Sequence, residues 1–147
     1  MIRIAAALLL GSVLAAPAAL AGNTPSPKDA LVYIGWPNDG EVINTRTIKI
    51  WFGLRHMGVA PAGIDKPNTG HHHLLVDADL PPFDEPIPND RNHLHFGGGQ
   101  TETRLEGLAP GPHTLQLVLA DEQLLGVRVA TLAGAQVGEA DVGMPAR

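Results

Sequence analysis

The sequence has no cysteine at all. That single absence removes disulfides, thiolate zinc sites, blue-copper centres, thiol nucleophiles and a lipid-attached cysteine. Any metal must be held by histidine, carboxylate, methionine or backbone. An exported domain of this kind must also hold together by its core alone. A basic cluster is missing too. Lys and Arg number 10 against 15 Asp and Glu, for a formal net charge of −5, which argues against nucleic-acid binding. Serine is nearly absent: after the first 21 residues only Ser26 remains, in a polar segment with no catalytic partner nearby. No paired-carboxylate arrangement stands out. Gly97-Gly98-Gly99 lacks both the spacing and the following Lys-Ser/Thr of a phosphate loop. The chain is therefore read as a non-enzyme without an organic cofactor, a hydrolytic zinc site with an open position being the catalytic alternative. Internal repeats and helical periodicity are also lacking.

Only the N-terminus carries a long apolar run. Met1-Ile2-Arg3 supplies a positive charge, and Ile4 to Ala16 is apolar apart from Gly11 and Ser12. Ala19-Leu20-Ala21 then offers small residues for a signal peptidase, which places cleavage between Ala21 and Gly22. A membrane anchor is the alternative. The run is short for a span, contains Pro17 and lacks a basic stop-transfer flank. The expectation is a periplasmic or secreted chain with no transmembrane segment after processing. Roughly 126 residues remain, enough for one domain with one core.

Thirteen prolines and seventeen glycines favour short strands and turns over long helices. After a flexible lead-in at 22–30, Leu31 to Trp36 reads as a first strand, closed by the turn signal Pro37-Asn38-Asp39-Gly40. Glu41 to Asn44 suggests a short strand. Thr47 to Leu54 alternates, with Ile48, Ile50, Phe52 and Leu54 on one face and Lys49 and Trp51 on the other. Arg55 to Thr69 is a Gly- and Pro-rich loop. Thr101 to Glu106, His113 to Ala120 and Leu124 to Leu132 complete the set, and 133–147 is expected to be a disordered tail. Six to eight short strands over 31–132 imply an immunoglobulin-like antiparallel β-sandwich.

The chemistry concentrates between Gly70 and Gly99, which hold five of the seven histidines. Two strand-like runs, His71 to Asp77 and Asn92 to Phe96, flank an excursion with Pro81, Pro82, Pro86 and Pro88, expected to be long and exposed. Residues two apart on a strand share a face. His71 and His73 therefore project together, as do His93 and His95. If the strands pair, four imidazoles line one surface patch, near enough to reach one ion. An all-imidazole site suits copper(II) or zinc, with nickel as a further candidate. His72 shares its face with Leu74 and Val76 and reads as a buried, hydrogen-bonded core histidine. His56, Met57, His72 and His113 are lesser ligand candidates, Met57 because a thioether favours copper(I). Asp77 is a candidate for orienting an imidazole. Glu102 and Asp121 read as exposed carboxylates without an evident partner. Against the metal reading stands a polar strand face that merely fixes the excursion.

Three ordered segments carry a family resemblance. They are Gly70-His71-His72-His73-Leu74-Leu75-Val76-Asp77, His93-Leu94-His95-Phe96-Gly97-Gly98-Gly99-Gln100-Thr101-Glu102, and Leu108-Ala109-Pro110-Gly111-Pro112-His113-Thr114-Leu115-Gln116-Leu117. Pro37-Asn38-Asp39-Gly40, Phe52-Gly53-Leu54 and Met57 to Gly63 add an earlier signature. Together they resemble the uncharacterised exported bacterial domain of unknown function numbered 4399. The resemblance covers roughly Tyr33 to Asp121 and implies an exported β-sandwich with no established activity. After Asp121 the family pattern continues with further histidines and prolines, where this chain has Glu122-Gln123-Leu124-Leu125-Gly126. The functional expectation is copper or zinc handling (carriage, buffering or sensing), the alternative a non-catalytic interaction module with a cell-envelope protein partner.

Overall fold

A computed structural model describes residues 26–45, 47–82, 85–121 and 126–137. The expected leader at 1–21 and the tail from 138 lie outside them. The described residues form nine strands and no helix: β1 (Leu31–Trp36), β2 (Val42–Ile43), β3 (Thr47–Arg55), β4 (Gly58–Val59), β5 (Thr69–Val76), β6 (His93–Phe96), β7 (Glu102–Glu106), β8 (Gly111–Ala120) and β9 (Gly126–Val137). Among them, no helix is long and apolar enough to cross a membrane.

The strands build an all-β sandwich. A three-stranded antiparallel sheet runs β1-β3-β7, and a six-stranded sheet runs β2-β9-β8-β5-β4, with β6 also paired to β5. Alternation explains the layering. Ile48, Ile50 and Phe52 of β3 are buried while Trp51 is exposed. Val32 and Ile34 of β1 and Leu105 of β7 join them, facing Leu74, Val76, Leu115, Leu117, Leu119, Ile43 and Val137 across the sandwich. Each such side chain contributes about 1.5–3 kcal/mol when fully buried. The turn at Pro37–Gly40 forms as its composition demands. Gly40 takes a positive φ of 72°, and the Glu41 carboxylate accepts from Trp36 Nε1 and from the backbone and side-chain N–H groups of Asn38.

The structure departs from the sequence expectations in three places. The last strand does not stop near Leu132 but runs to Val137, because β2 pairs with it in parallel, Ile43 opposite Val137. The loop after Arg55 contains β4, which pairs in parallel with the start of β5. The proline-rich excursion is not wholly exposed, since Ile87 folds back onto Leu75, Val118 and Ala120 and forms a second small core. That second core lies on the outer face of the large sheet. It leaves β5 covered on both sides, with every residue from Gly70 to Val76 buried.

Candidate metal centre

Strand β5 sends alternate residues to opposite environments. Leu74 and Val76 enter the inter-sheet core, and His72 goes with them. Its ring lies 5.1 Å from that of Phe52, and its Nδ1–H donates to the Gln100 carbonyl at 3.1 Å. Burial lowers its pKa, partly offset by that hydrogen bond. His71 and His73 point the other way, beside Leu75.

Register then supplies the third histidine. β6 runs antiparallel to β5 with His95 directly opposite His73 and His93 opposite Leu75, while β8 sets Ala120 opposite His71 and Val118 opposite His73. The three rings of His71, His73 and His95 form a near-equilateral triangle. Their centroids are 5.0, 4.9 and 4.7 Å apart, and the His73 and His95 rings stack with only 17° between planes. One nitrogen from each lies within 4.8 Å of the others. Nε2 of His71 and Nε2 of His73 are 3.1 Å apart, close to the ~3.3 Å expected between two nitrogens bound to one tetrahedral ion at about 2.0–2.1 Å.

Two glycines make this packing feasible. A Cβ at Gly70 would come within 2.3 Å of the Ala120 carbonyl oxygen, so β5 approaches β8 this closely only without a side chain there. A Cβ at Gly97 would stand 2.7 Å from His95 Nε2, so Gly97 provides the space that His95 occupies.

The electrostatics are those of neutral ligands. His71 is lowered to about 4, mainly by burial, with His95 adding to the shift and Asp121 opposing it. His73 is lowered to about 3 by burial and then by the neighbouring histidines, His71 first. Both imidazoles are therefore neutral at pH 7, the form in which histidine binds metals. Their hydrogen bonding is incomplete. His71 Nδ1, His73 Nδ1 and His95 Nε2 are buried and have no partner in the structure. Each such group costs about 1–3 kcal/mol of desolvation. Among the described residues the other buried side-chain nitrogen without a partner is Nε2 of the adjacent His72, so the unpaired groups concentrate on this histidine cluster. The triad can accept a cation through lone pairs.

The other candidates lie elsewhere. His93 shares the face of His73 and His95 but stands opposite Leu75, with Nδ1 2.9 Å from Asp90 Oδ1. His113 donates through Nδ1 to Asp77 at 2.6 Å and through Nε2 to the Ala109 carbonyl at 2.7 Å. Both partners are pure acceptors, so both nitrogens must carry protons. Burial opposes the resulting charge, but these two bonds outweigh it and raise the pKa. No lone pair is left for a metal. Asp77 thus orients His113, not the triad. It also accepts from the Thr114 N–H at 2.8 Å and holds a left-handed backbone with φ of 50°. His56 pairs with Asp29 at 3.3 Å on the surface, and Met57 packs against the inter-sheet core. Glu102 is exposed as expected but bonds Lys49 at 2.8 Å.

Two sequence readings need correction here. The histidine patch is not superficial: His71 and His73 are fully buried, because the loops around Ala62 and Ile87 cover the sheet. Asp121 is not exposed either, with 4% accessibility, and its charge acts favourably on His71. The available signal was its place directly after Ala120, the register partner of His71.

Over residues 50–133 the chain matches the family described as Domain of unknown function (DUF4399), and it belongs to that family. All three triad histidines fall inside the matched region, which attaches no activity to them. No curated protein and no solved structure matches the chain.

Proposed function

We propose that this protein is an exported, non-catalytic β-sandwich that binds one transition-metal ion, copper first and zinc second, through His71, His73 and His95. Carriage, buffering or sensing of that metal at the cell envelope is then its task. One observation carries the reading: three imidazoles converge within 4.8 Å, and three of their buried nitrogens have no partner. The rival role, bracing loops, suits His113 on Asp77 and His93 on Asp90, both hydrogen-bonded to carboxylates. It does not suit the triad, because a brace whose nitrogens stay unpaired weakens what it holds. Three nitrogen ligands leave a further coordination position, which fits tetrahedral zinc or copper.

Calorimetric titration of the metal-stripped protein with copper(II) and with zinc tests this. One ion per chain is expected, with binding abolished in a His73→Ala/His95→Ala variant. Heat that is absent, or equal in the two proteins, would sink the proposal.

A gentler substitution probes the geometry. Gly97→Ala places a methyl carbon against His95 Nε2 and within 3.2 Å of the Ala62 Cβ. The imidazole is the movable partner, so it swings away from His73. We expect metal affinity to fall about tenfold or more, while unfolding stability changes by only about 1 kcal/mol. Unaltered affinity would show that His95 does not bind in this orientation.

A further inference from the structure

His71 and His73 are buried while His95 keeps partial exposure, so an ion approaches the triad from the β6 side, where a stop at the solvent edge would ease its entry. His93 is placed to be that stop. Its side chain retains 17% exposure. It lies on the face that carries His73 and His95, two residues from His95, or ~7 Å along the strand. Its ring is also held in advance. The Asp90 carboxylate oxygen that accepts from His93 Nδ1 at 2.9 Å also accepts from the backbone N–H groups of Asn92 and His93, at 2.8 and 2.9 Å. Asn92 Nδ2 donates to the Val76 carbonyl at 2.7 Å, which ties the segment to the end of β5. Since a carboxylate can only accept, Nδ1 carries the proton, and in the neutral ring the lone pair sits on Nε2. A carboxylate that fixes the tautomer and orientation of an imidazole is the usual partner of a metal-binding histidine. The bond to Asp90 therefore leaves the distal nitrogen free.

We propose that His93 is the entry ligand of the metal centre: it takes an incoming cation at the solvent edge and hands it to His73 and His95. This rests on the metal-binding reading of the triad. A residue bound only in transit lowers the barrier between free and bound states, so it must speed loading and release by the same factor and leave affinity untouched. A permanent ligand instead weakens affinity when removed, mainly through faster release.

Stopped-flow loading with copper(II) and zinc, paired with release into excess chelator, distinguishes these cases in wild type, His93→Ala and Asp90→Asn. For His93→Ala we expect both rate constants to fall about tenfold while Kd stays within about threefold of wild type. Asp90→Asn keeps the imidazole but loses the carboxylate that fixes it, and a smaller slowing of both rates is expected. Unchanged rates overturn the proposal. So does a large loss of affinity in His93→Ala, which would make His93 a permanent ligand. If wild type binds neither ion, the triad reading itself fails, an outcome distinct from either.

Discussion

Replacing His71 and His73 together by leucine is expected to make the metal-free protein more stable while abolishing metal binding. The two rings share one hydrogen bond, Nε2 to Nε2, and each leaves its Nδ1 unpaired in a buried site. Removing both at once deletes the shared bond without stranding either partner, and removes two unsatisfied nitrogens. Leucine is of comparable size, and the neighbours Leu75, Val118 and Ala120 are apolar and buried. Replacing both members of a buried polar pair by apolar groups of similar shape is neutral to stabilising, and two orphaned groups at about 1–3 kcal/mol each suggest a net gain of ~2 kcal/mol, or roughly 10 °C in Tm. A bracing role predicts the opposite sign. Thermal unfolding of both proteins in the presence of chelator decides between them, and a variant that melts lower than wild type would count against the metal centre.

The metal-free protein should also lose stability steeply in mild acid. In the fold, His71 and His73 lie at about 4 and about 3, below the ordinary value of 6.5. Between 6.5 and those values the unfolded chain binds more protons than the folded one, so stability rises with pH. The contribution is complete above about pH 6.5 and drains away as the pH falls towards 4 and then 3, on the order of 3 kcal/mol for each histidine. Asp90, held low chiefly by its bond from His93, adds a further loss below the usual carboxylate range. His113 acts in the opposite direction. Its raised pKa gives a contribution that is present below 6.5 and lost as the pH climbs through the raised value. Urea midpoints of metal-free protein from pH 7.5 down to 4 should trace the acid fall. The His71→Leu/His73→Leu variant should lose most of it, and an equal slope in both proteins would mean that the triad is not what titrates.

Much of this arrangement was legible in the residues. Alternation in Thr47 to Leu54 and in His113 to Ala120 defined core faces that the sandwich uses. The His-x-His spacing in both runs placed His71 with His73, and His93 with His95. What spacing alone does not supply is register. Pairing His73 with His95 puts Leu75 opposite His93, so the cluster closes on three rings instead of four. Burial was equally hidden, because it comes from the excursion's Ile87 and from the loop whose Ala62 N–H donates to the Gly97 carbonyl. Prolines mark that excursion as non-strand without indicating that it folds back. Asp121 was misread for the same reason: a carboxylate at a strand end looks solvated until the strand beside it is known.

The two-sided character of β5 also bears on how the chain finds a unique fold. Slipping this strand by one residue against β8 would drive His71 and His73 into the aliphatic interior beside Phe52 and Leu117. The same slip would turn Leu74 and Val76 towards His95. Mispairing is thus penalised on both faces simultaneously, whereas a strand with one solvated side is checked on one face only. The histidines that lower the stability of the native state also raise the energy of its nearest competitor. Proofreading of strand alignment would therefore survive even in a cell starved of metal.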